Sequence, residues 1–590
     1  MAGKTAAPAP ARSSEPVIRQ HLARVLSSAT FQQVERLKRF ITFIVEEAAA
    51  GRGDELKEYI VGVEVFGKES SFDPRTDPIV RVQARRLRAR LARYYRDEGQ
   101  NDELIIELPK GGYAPLFKKR EGRSGPKPSL TTALASRNTV AVLPFADHSQ
   151  HRDLEYFCAG VTQEIIHRLT RFKALRVLAL ETSDGNSRVD AAVNANVAML
   201  ITGSVRRSDD IVRVTTQLVD AATGSYLWSE AIDAPLGDSL AAQEKIAEAI
   251  VKKLQPERLQ QGEAPWTHHP IENLAAHNLY LQGRYHLNQR TEEGLAKAVE
   301  FFEKAIVEDP QYAAAHSGLS DAYGLLAHYG VLGPADVWTR AASSAASAVM
   351  LDGHSAEAHT SLAHVKSTQD WDWPAADREF QRAISLDPRY ATAHHWYAMS
   401  CLVPMGRIDD AFEQMALAQS LDPVSSIIAR DVAVIHYYRR DFEAALEQCD
   451  HTIELNPHFA PAYLTLSLVQ EQGSDFDEAL AALQRAVHLS PDSPRMHGAL
   501  GRALARAGKR DAAGKMVKKL EGLARERYVS PFEFASIHFA LGQIDVGFKW
   551  LRKAREDRVF ELIAIRVDPR FDPLRNDPRF DAIVQQIGFE

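Results

Sequence analysis

Alanine recurs at intervals of 34 or 35 residues through the second half of this 590-residue chain. The first column comprises Ala376, Ala411, Ala445, Ala479 and Ala513. Seven positions later stand Ala383, Ala418, Thr452, Ala486 and Leu520, and five further on stand Pro388, Pro423, Pro457 and Pro491. Such a period holds two helices that cannot bury their own apolar sides. Successive units must therefore stack, which excludes a single closed core for this region.

The spacing and the residue types together resemble the tetratricopeptide repeat. An apolar residue stands between the two columns at Phe380, Met415, Cys449, Leu483 and Val517. The series begins earlier, at Ala298, Phe302, Ala305, Pro310, Ala341, Ala345, Ala348 and Gly353. We predict an α-solenoid over residues 271–590, with about seven repeats and a C-terminal cap containing a last helix pair at 530–554. The resemblance implies a concave groove for a protein or peptide partner.

Residues 138–254 alternate short apolar runs with amphipathic stretches, which predicts an α/β sandwich. Strands are expected at 138–147, 175–180, 200–207 and on both sides of the turn Ala222-Thr223-Gly224. Helices are expected at 154–172, 189–200 and 239–254. The words VAVLPF, LEYFCAGVTQEI, ITGSVRR and VTTQLVDAATGSYLWSE resemble the TolB N-terminal-type module. That resemblance implies structural rather than catalytic residues, with Gly203 and Gly224 in turns or close packing and Trp228 in the core.

Motifs that would support catalysis are missing from the sequence. It contains no GxxxxGK[ST] phosphate loop, no HExxH and no GxSxG elbow. The three cysteines lie far apart, which argues against a disulfide framework or a zinc knuckle. The adjacent pairs His268-His269 and His394-His395 cannot point to one metal, because neighbouring residues face different sides of a helix. We expect no enzyme, no cofactor and no metal, although sequences combining the two modules above often carry a cyclase or kinase domain.

Polar segments separate three domains. Residues 1–16 are rich in Ala, Pro and Ser and are expected to be disordered. A first domain follows at 17–120, then a linker at 121–137, the α/β domain at 138–254, a second linker at 255–270 and the solenoid. The N-terminus has no apolar signal-peptide core, and no run of about 18 apolar residues occurs. These features predict a cytoplasmic protein without a membrane partner.

The stretch RVQARRLRARLARYYR (81–96) contains seven arginines and no acid. We call it the arginine segment. At about 100° per residue, Val80, Ala84, Leu87, Leu91, Tyr94 and Tyr95 share one side of a helix and the arginines lie opposite. Asp77-Pro78 predicts its start and Gly99 its end. Residues 1–120 carry 22 Lys and Arg against 16 Asp and Glu, while the whole chain has net charge −7. The remaining residues therefore carry −13, and the basic domain favours a local polyanionic or acidic partner.

Amphipathic helices are predicted before the arginine segment at 17–28, 31–51 and 57–67, and residues 103–119 predict a β-hairpin around PKGG. Over about residues 55–117 this order resembles the OmpR/PhoB-type winged-helix effector domain, with Gly112-Tyr113 at the family's Gly-Tyr. Two helices stand at the front, where that family has a small sheet. The resemblance implies a recognition helix in the major groove of double-stranded DNA and a hairpin wing. The DNA-contacting residues so implied are Arg81, Arg85, Arg86, Arg88, Arg90, Arg93, Lys110, Gly111, Gly112 and Tyr113.

The arginines form two stripes on the predicted helix. Arg81, Arg85 and Arg88 would read bases, and the stripe of Arg86, Arg90 and Arg93 would hold phosphate. The first hypothesis is therefore a non-enzymatic DNA-binding transcriptional regulator, with the TolB-like module as sensor or spacer and the solenoid as protein receiver. The alternative is a TPR and TolB-like assembly scaffold without nucleic acid, whose basic helix docks on acidic protein. A homodimer fits the first hypothesis, but no residue identifies its interface.

Overall fold

A computed structural model describes most of the chain. The described residues are 15–28, 31, 35–53, 56–66, 80, 83–84, 87–88, 90–91, 94–95, 98–99, 102–109, 112–119, 139–149, 154–170, 176–179, 197–208, 211–221, 223, 225–235, 273–423 and 425–589. They form two compact units. The first contains residues 1–127 with 472–474, and the second contains residues 128–471 with 475–590.

The first unit contains three helices and a hairpin, in the predicted order. They are α1 (Glu15–Ser27), α2 (Glu35–Ala49), α3 (Glu58–Glu64), β1 (Leu104–Glu107) and β2 (Leu116–Lys119). The strands pair antiparallel, with Ile105 opposite Lys118. Helix α1 begins at Glu15 rather than at the predicted Val17, so the end of the segment expected to be disordered is helical. The rest of that segment and the predicted 121–137 linker lie outside the described residues.

Between α3 and β1, the described residues from 80 to 95 are helical. Val80, Ala84, Leu87, Leu91 and Tyr94 are all buried in the core of the first unit, which also contains apolar residues of the three helices and the hairpin. This confirms the apolar side predicted by the helical wheel. The backbone leaves the helix at Gly99, as expected, since its amide donates to the carbonyl of Tyr94 at 2.7 Å. The predicted start at Asp77-Pro78 lies outside the described residues.

The second unit begins with a mixed sheet. Its strands are β3 (Thr139–Val142), β4 (Ala146–Asp147), β5 (Arg176–Ala179), β6 (Met199–Ser208), β7 (Ile211–Asp220) and β8 (Tyr226–Pro235). The order is β5-β3-β6-β7-β8, and β4 pairs with β6. Strand β3 pairs in parallel with β5 and with β6, and β4 pairs in parallel with β6. Strands β6, β7 and β8 form an antiparallel meander. Helix α4 (Glu155–Thr170) contributes Phe157, Val161 and Ile165 to the core beside the sheet.

Close packing explains one glycine of the sheet. A side chain at Gly203 would place its Cβ 2.1 Å from the ring of Phe145, so only glycine fits this position on β6. The sequence predicted either a turn or close packing at Gly203, and the structure shows close packing. Trp228 is half-buried and lies against the same core, as predicted. Gly224 and most of the helices expected at 189–200 and 239–254 lie outside the described residues. Residues 197–198 precede β6, and residues 199–200 belong to that strand rather than to the expected helix.

The rest of the unit is helical. Its helices are α5 (Leu274–Asn288), α6 (Glu292–Glu308), α7 (Ala313–His328), α8 (Pro334–Leu351), α9 (Ala356–Val365), α10 (Trp373–Leu386), α11 (Ala391–Tyr397), α12 (Ile408–Leu421), α13 (Ser426–Tyr438), α14 (Phe442–Leu455), α15 (Ala460–Gln472), α16 (Phe476–Leu489), α17 (Pro494–Arg506), α18 (Arg510–Leu523), α19 (Pro531–Ala540), α20 (Ile544–Glu556) and α21 (Pro578–Gln586). The helices α5 to α18 make seven pairs, and α19 and α20 are the predicted last pair.

The repeated columns lie where the sequence predicted. All the alanines of both columns are fully shielded from solvent, as is Thr452. The intervening apolar residues are buried except Val517, which is half-buried. Small side chains let the second helix of each pair approach its neighbours closely. Cys449 is a buried packing residue, as predicted, with 1% of its surface exposed.

Two first helices of pairs end in a widened turn. Helix α9 continues as a π-helical turn at Lys366–Asp370, and α11 continues as one at Ala398–Leu402. After α20 the chain forms 3-10 turns at Phe560–Ala564 and Pro569–Leu574 before α21. We call residues 558–589 the C-terminal cap. The last helix pair, α19 and α20, which the sequence prediction included in the cap, precedes it.

Candidate functional site

The winged-helix resemblance implies ten DNA-contacting residues, and the structure describes four of them. Arg88, Arg90, Gly112 and Tyr113 are half-buried. Arg90 has an interaction within the chain, and Tyr113 packs against the core of the first unit. The remaining six, Arg81, Arg85, Arg86, Arg93, Lys110 and Gly111, lie outside the described residues. DNA contact by all ten stays a prediction.

Arg88 binds the hairpin rather than facing away from it. Its Nε donates to the carbonyl of Leu108 at 3.0 Å, and one Nη donates to the carbonyls of Pro109 and Gly112 at 2.9 and 3.2 Å. Burial lowers the pKa of this guanidinium, which nevertheless stays charged. The sequence grouped Arg88 with Arg81 and Arg85 for base reading. In the structure these donors instead fix the hairpin tip to the arginine segment.

A second polar cluster joins the same segment to α1 and to the start of the hairpin. The Asp102 carboxylate accepts hydrogen bonds from Tyr94 at 2.7 Å and from Arg24 at 2.6 Å. Burial alone would raise the pKa of Asp102, but these two donors hold it below its usual value. The hydroxyl of Tyr95 accepts from the amide of Ile106 at 2.7 Å. The segment is thus connected to its surroundings in its middle, through Arg88, and at its C-terminal end, through Tyr94 and Tyr95.

The first helices of successive pairs form one face of the solenoid, which we call the inner face. The C-terminal cap contacts this face at α7 and α13 and also contacts the start of α10. The Phe560 ring stacks on His328 with centroids 3.7 Å apart. Asp568 accepts a hydrogen bond from Tyr437 at 3.2 Å, and Ile587 accepts one from the indole of Trp373 at 3.2 Å. The sequence predicted an open groove for a peptide. A partner using this part of the inner face would have to displace the cap.

Charged groups are buried beneath the cap. Asp431 accepts from His395 Nε2 at 2.7 Å, and Arg430 Nη1 lies 2.7 Å from its other oxygen. Arg502 pairs with Glu471 at 2.7 Å, and both side chains are almost fully shielded. Within each pair the positive and negative charges compensate each other in a region shielded from solvent. In the sequence, the sign of this buried pair is the adjacent charges Arg430 and Asp431 within the otherwise apolar stretch of α13.

The histidines of this region are packing groups. His394 contacts Gln414 at 2.7 Å and the carbonyl of Pro388 at 2.9 Å, whereas the neighbouring His395 contacts Asp431. The two rings therefore face different partners, as predicted. Burial lowers the pKa of His364 to about 3, so that ring is neutral. Within the described ranges, no three His, Cys, Asp or Glu side chains are grouped to hold a metal ion.

All three cysteines are buried free thiols. Burial raises the pKa of Cys158 and of Cys401 to about 12, which keeps both thiols protonated. Among the helices of the described residues, none combines the length and the apolar character needed to cross a bilayer.

Two curated relatives match part of the chain. Putative adenylate cyclase 3 of Rhizobium meliloti is 28% identical over 234 residues, which are 38% of this chain and 39% of the relative. Transcriptional regulator HilA of Salmonella typhimurium is 22% identical over 191 residues, which are 32% of this chain and 34% of the relative. The chain therefore spans well under half the length of either relative.

Family models and solved structures match the helical region. Tetratricopeptide-repeat models match residues 431–494 and 470–529. A structure of Pseudomonas aeruginosa PilF is 20% identical, with a TM-score of 0.27, and covers 35% of this chain and 93% of its own. The APC/C hetero-tetramer Cut9-Hcn1 is 14% identical, with a TM-score of 0.38, and covers 59% of each chain. Residues 431–529 are tetratricopeptide repeats, and the helix pairs on both sides continue the same solenoid.

Proposed function

We propose that this chain is a non-enzymatic DNA-binding transcriptional regulator whose N-terminal unit is a winged helix. The observation that carries this proposal is the attachment of the arginine segment to the hairpin. The apolar side of the segment is buried, and Arg88 connects it to three carbonyls at the hairpin tip. A recognition helix and a wing act together on DNA only when their relative position is fixed.

The roles of the arginines follow from this attachment. Because Arg88 is committed to the hairpin, base reading falls to Arg81 and Arg85, which the sequence places on the same stripe. Arg86, Arg90 and Arg93 bind phosphate, and Lys110 approaches the DNA backbone from the wing. An arginine can bridge guanine O6 and N7 or clamp a phosphate, and both contacts require a guanidinium held at a defined position.

The other regions receive signals and partners in this proposal. The sheet domain is a TolB-like sensor or spacer, and the solenoid receives a protein partner. The similarity to HilA, named a transcriptional regulator, supports DNA-linked function for this chain. The similarity to a protein named an adenylate cyclase covers only part of that protein. The sequence contains none of the catalytic motifs considered above, which supports a non-enzymatic role.

Fluorescence anisotropy of the full chain with random duplex DNA tests the proposal. We expect binding at about 50 mM salt and a loss of affinity of roughly 10³-fold or more at about 200 mM if six or more phosphates are contacted. Arg86→Ala combined with Arg93→Ala, from the stripe assigned to phosphate, should weaken binding and reduce its salt dependence. Arg382→Ala, which removes an exposed arginine of α10, is the matched control and should change neither.

The alternative is an assembly scaffold that does not bind nucleic acid. It rests on the arginine segment, whose guanidiniums can pair with the carboxylates of an acidic protein instead of with phosphates. Absence of DNA binding at low salt, or binding that survives the double substitution unchanged, would support the scaffold and reject the regulator. A homodimer would be consistent with either function.

A further inference from the structure

Arg290 occupies a backbone position that usually favours glycine. It follows the end of α5 with φ of 53°, in the left-handed region. The equivalent positions after α7, α17 and α19 are glycines, Gly330, Gly508 and Gly542. A residue with a Cβ strains the backbone in this conformation. The equivalent turns after α13 and α15 also carry residues other than glycine, Arg440 and Ser474, so the backbone alone does not single out Arg290.

The Arg290 guanidinium has no acceptor within hydrogen-bond distance among the described residues. Its Nε and Nη1 are shielded from solvent. Two other arginines with left-handed backbones use their side chains differently, since Arg440 pairs with Asp572 at 2.8 Å and Arg558 donates to the carbonyl of Gln369. A shielded guanidinium without an acceptor is unfavourable, because its lost hydration is not replaced.

Arg290 lies between two cavities of the solenoid. A cavity of about 410 Å³, which we call the polar cavity, is lined by Arg284, Arg290 and Arg389 and by hydroxyl groups including those of Ser425 and Thr392. A smaller cavity of about 90 Å³ lies beneath the C-terminal cap and is also lined by Arg290. The polar cavity has the size of typical small-molecule sites, which run from about 300 to 1,000 Å³.

The charge of the polar cavity is positive. Three arginines line it, and Asp422 is the one acidic side chain among its described lining residues. Arg284 is balanced in part by Asp321, whose carboxylate lies 3.8 Å away. Arg389 is exposed, and no ion pair of its side chain occurs in the described part of the chain. Asp321 and Asp431 also act on the Arg290 guanidinium from a distance, but neither is within hydrogen-bond reach of its shielded Nε and Nη1. Arg290 and Arg389 can therefore attract an anion that supplies direct acceptors.

We propose that the polar cavity binds a small molecule carrying a phosphate or carboxylate group, which accepts hydrogen bonds from Arg290. Such a group supplies the acceptors that Arg290 lacks and matches the planar donors of a guanidinium. Arg389 adds charge at the rim, and the Ser425 and Thr392 hydroxyls supply neutral donors. The site gives the solenoid a small-molecule ligand in addition to any protein partner. It does not depend on DNA binding.

Thermal unfolding of the full chain tests this site. Tryptophan fluorescence reports on the solenoid, because Trp338, Trp371, Trp373 and Trp396 lie within it. Inorganic phosphate and citrate are added separately at millimolar concentration, each against chloride at equal ionic strength. Both ions also stabilise proteins non-specifically, so the informative quantity is the difference between the wild type and Arg290→Met. Methionine keeps the side-chain length and the left-handed backbone but removes the charge.

We expect at least one probe to raise the melting temperature of the wild type by about 2 °C or more beyond its effect on Arg290→Met. Arg382→Ala should respond like the wild type. A phosphate response without a citrate response identifies a phosphate ligand, and the reverse identifies a carboxylate. Equal responses in wild type and Arg290→Met, or none to either probe, would overturn the site. If Arg290→Met does not fold, the change in melting temperature caused by each probe is compared between the wild type and Arg290→Lys, because lysine lacks the planar donors of a guanidinium.

Discussion

Removal of the Arg88 guanidinium tests whether the arginine segment and the hairpin form one rigid body. In Arg88→Ala the carbonyls of Leu108, Pro109 and Gly112 lose a charged donor. One hydrogen bond of this kind contributes about 1.5–3 kcal/mol. Water can replace part of this hydrogen-bond energy at the carbonyls of Pro109 and Gly112, because both residues are half-exposed. We therefore expect the free energy of local opening of the hairpin to fall by about 1–3 kcal/mol, which corresponds to amide exchange about 5- to 150-fold faster.

Hydrogen exchange followed by mass spectrometry on the full chain measures this opening. Fluorescence cannot, because all seven tryptophans lie beyond residue 120. The affected peptides should span 102–119, while peptides of the solenoid keep their wild-type rates. Arg39→Ala removes an exposed arginine of α2 and should leave the hairpin unchanged. Wild-type exchange of the hairpin in Arg88→Ala would refute the reasoning.

Three further changes have expected outcomes in thermal unfolding or exchange. Gly203→Ala should destabilise the sheet domain by about 1–3 kcal/mol, because the new Cβ meets the ring of Phe145, whereas Gly514→Ala on α18 meets nothing and should be neutral or stabilising. Burial raises the pKa of Glu533 from 4.5 to about 8. The contribution of protonated Glu533 to the free energy of unfolding is fully present below pH 4.5 and is lost as the pH rises through 8. Glu533→Gln should therefore raise the melting temperature at about pH 9 and change it little at about pH 4. Phe560→Ala removes the ring that stacks on His328 and should lower the free energy of local opening of the cap by about 2 kcal/mol, measured as faster amide exchange in peptides covering 558–574. Unchanged exchange in these peptides would contradict the described position of the cap.

The solenoid could be predicted from sequence because its stacking is local. Each small residue of a column packs within its own pair or against the next, so the period appears directly in the chain. The apolar side of the arginine segment was predictable for the same reason, since Ala84, Leu87 and Leu91 follow the helical period. The sheet order was less accessible, although the strands themselves had clear alternation.

Long-range contacts were not accessible from the pattern. The Trp373 indole donates to a carbonyl 214 residues away, and no periodicity links Trp373 to Ile587. Arg88 has the same spacing as Arg81 and Arg85, so the sequence assigned it their role. Its guanidinium turns to the hairpin because three backbone carbonyls of the tip lie within its reach, and the position of those carbonyls is set by the fold.

Arg290 illustrates a different limit. In the sequence it is one arginine in a polar turn, with nothing to separate it from Arg440 or Arg558. Only the structure distinguishes them, through the acceptors that the other two have and Arg290 lacks. The functional interest of a residue can thus lie in an unmet hydrogen-bonding requirement, which composition and spacing do not encode.

The location of DNA on the chain is the most direct test of the proposed function. Hydrogen exchange of the full chain with and without duplex DNA at low salt should show slower exchange in peptides covering 80–119. Peptides covering 199–235 of the sheet and 460–506 of the solenoid should exchange at the same rate in both samples. Protection confined to the sheet or the solenoid, or none at a DNA concentration that saturates anisotropy, would contradict a winged helix that binds DNA through its arginine segment.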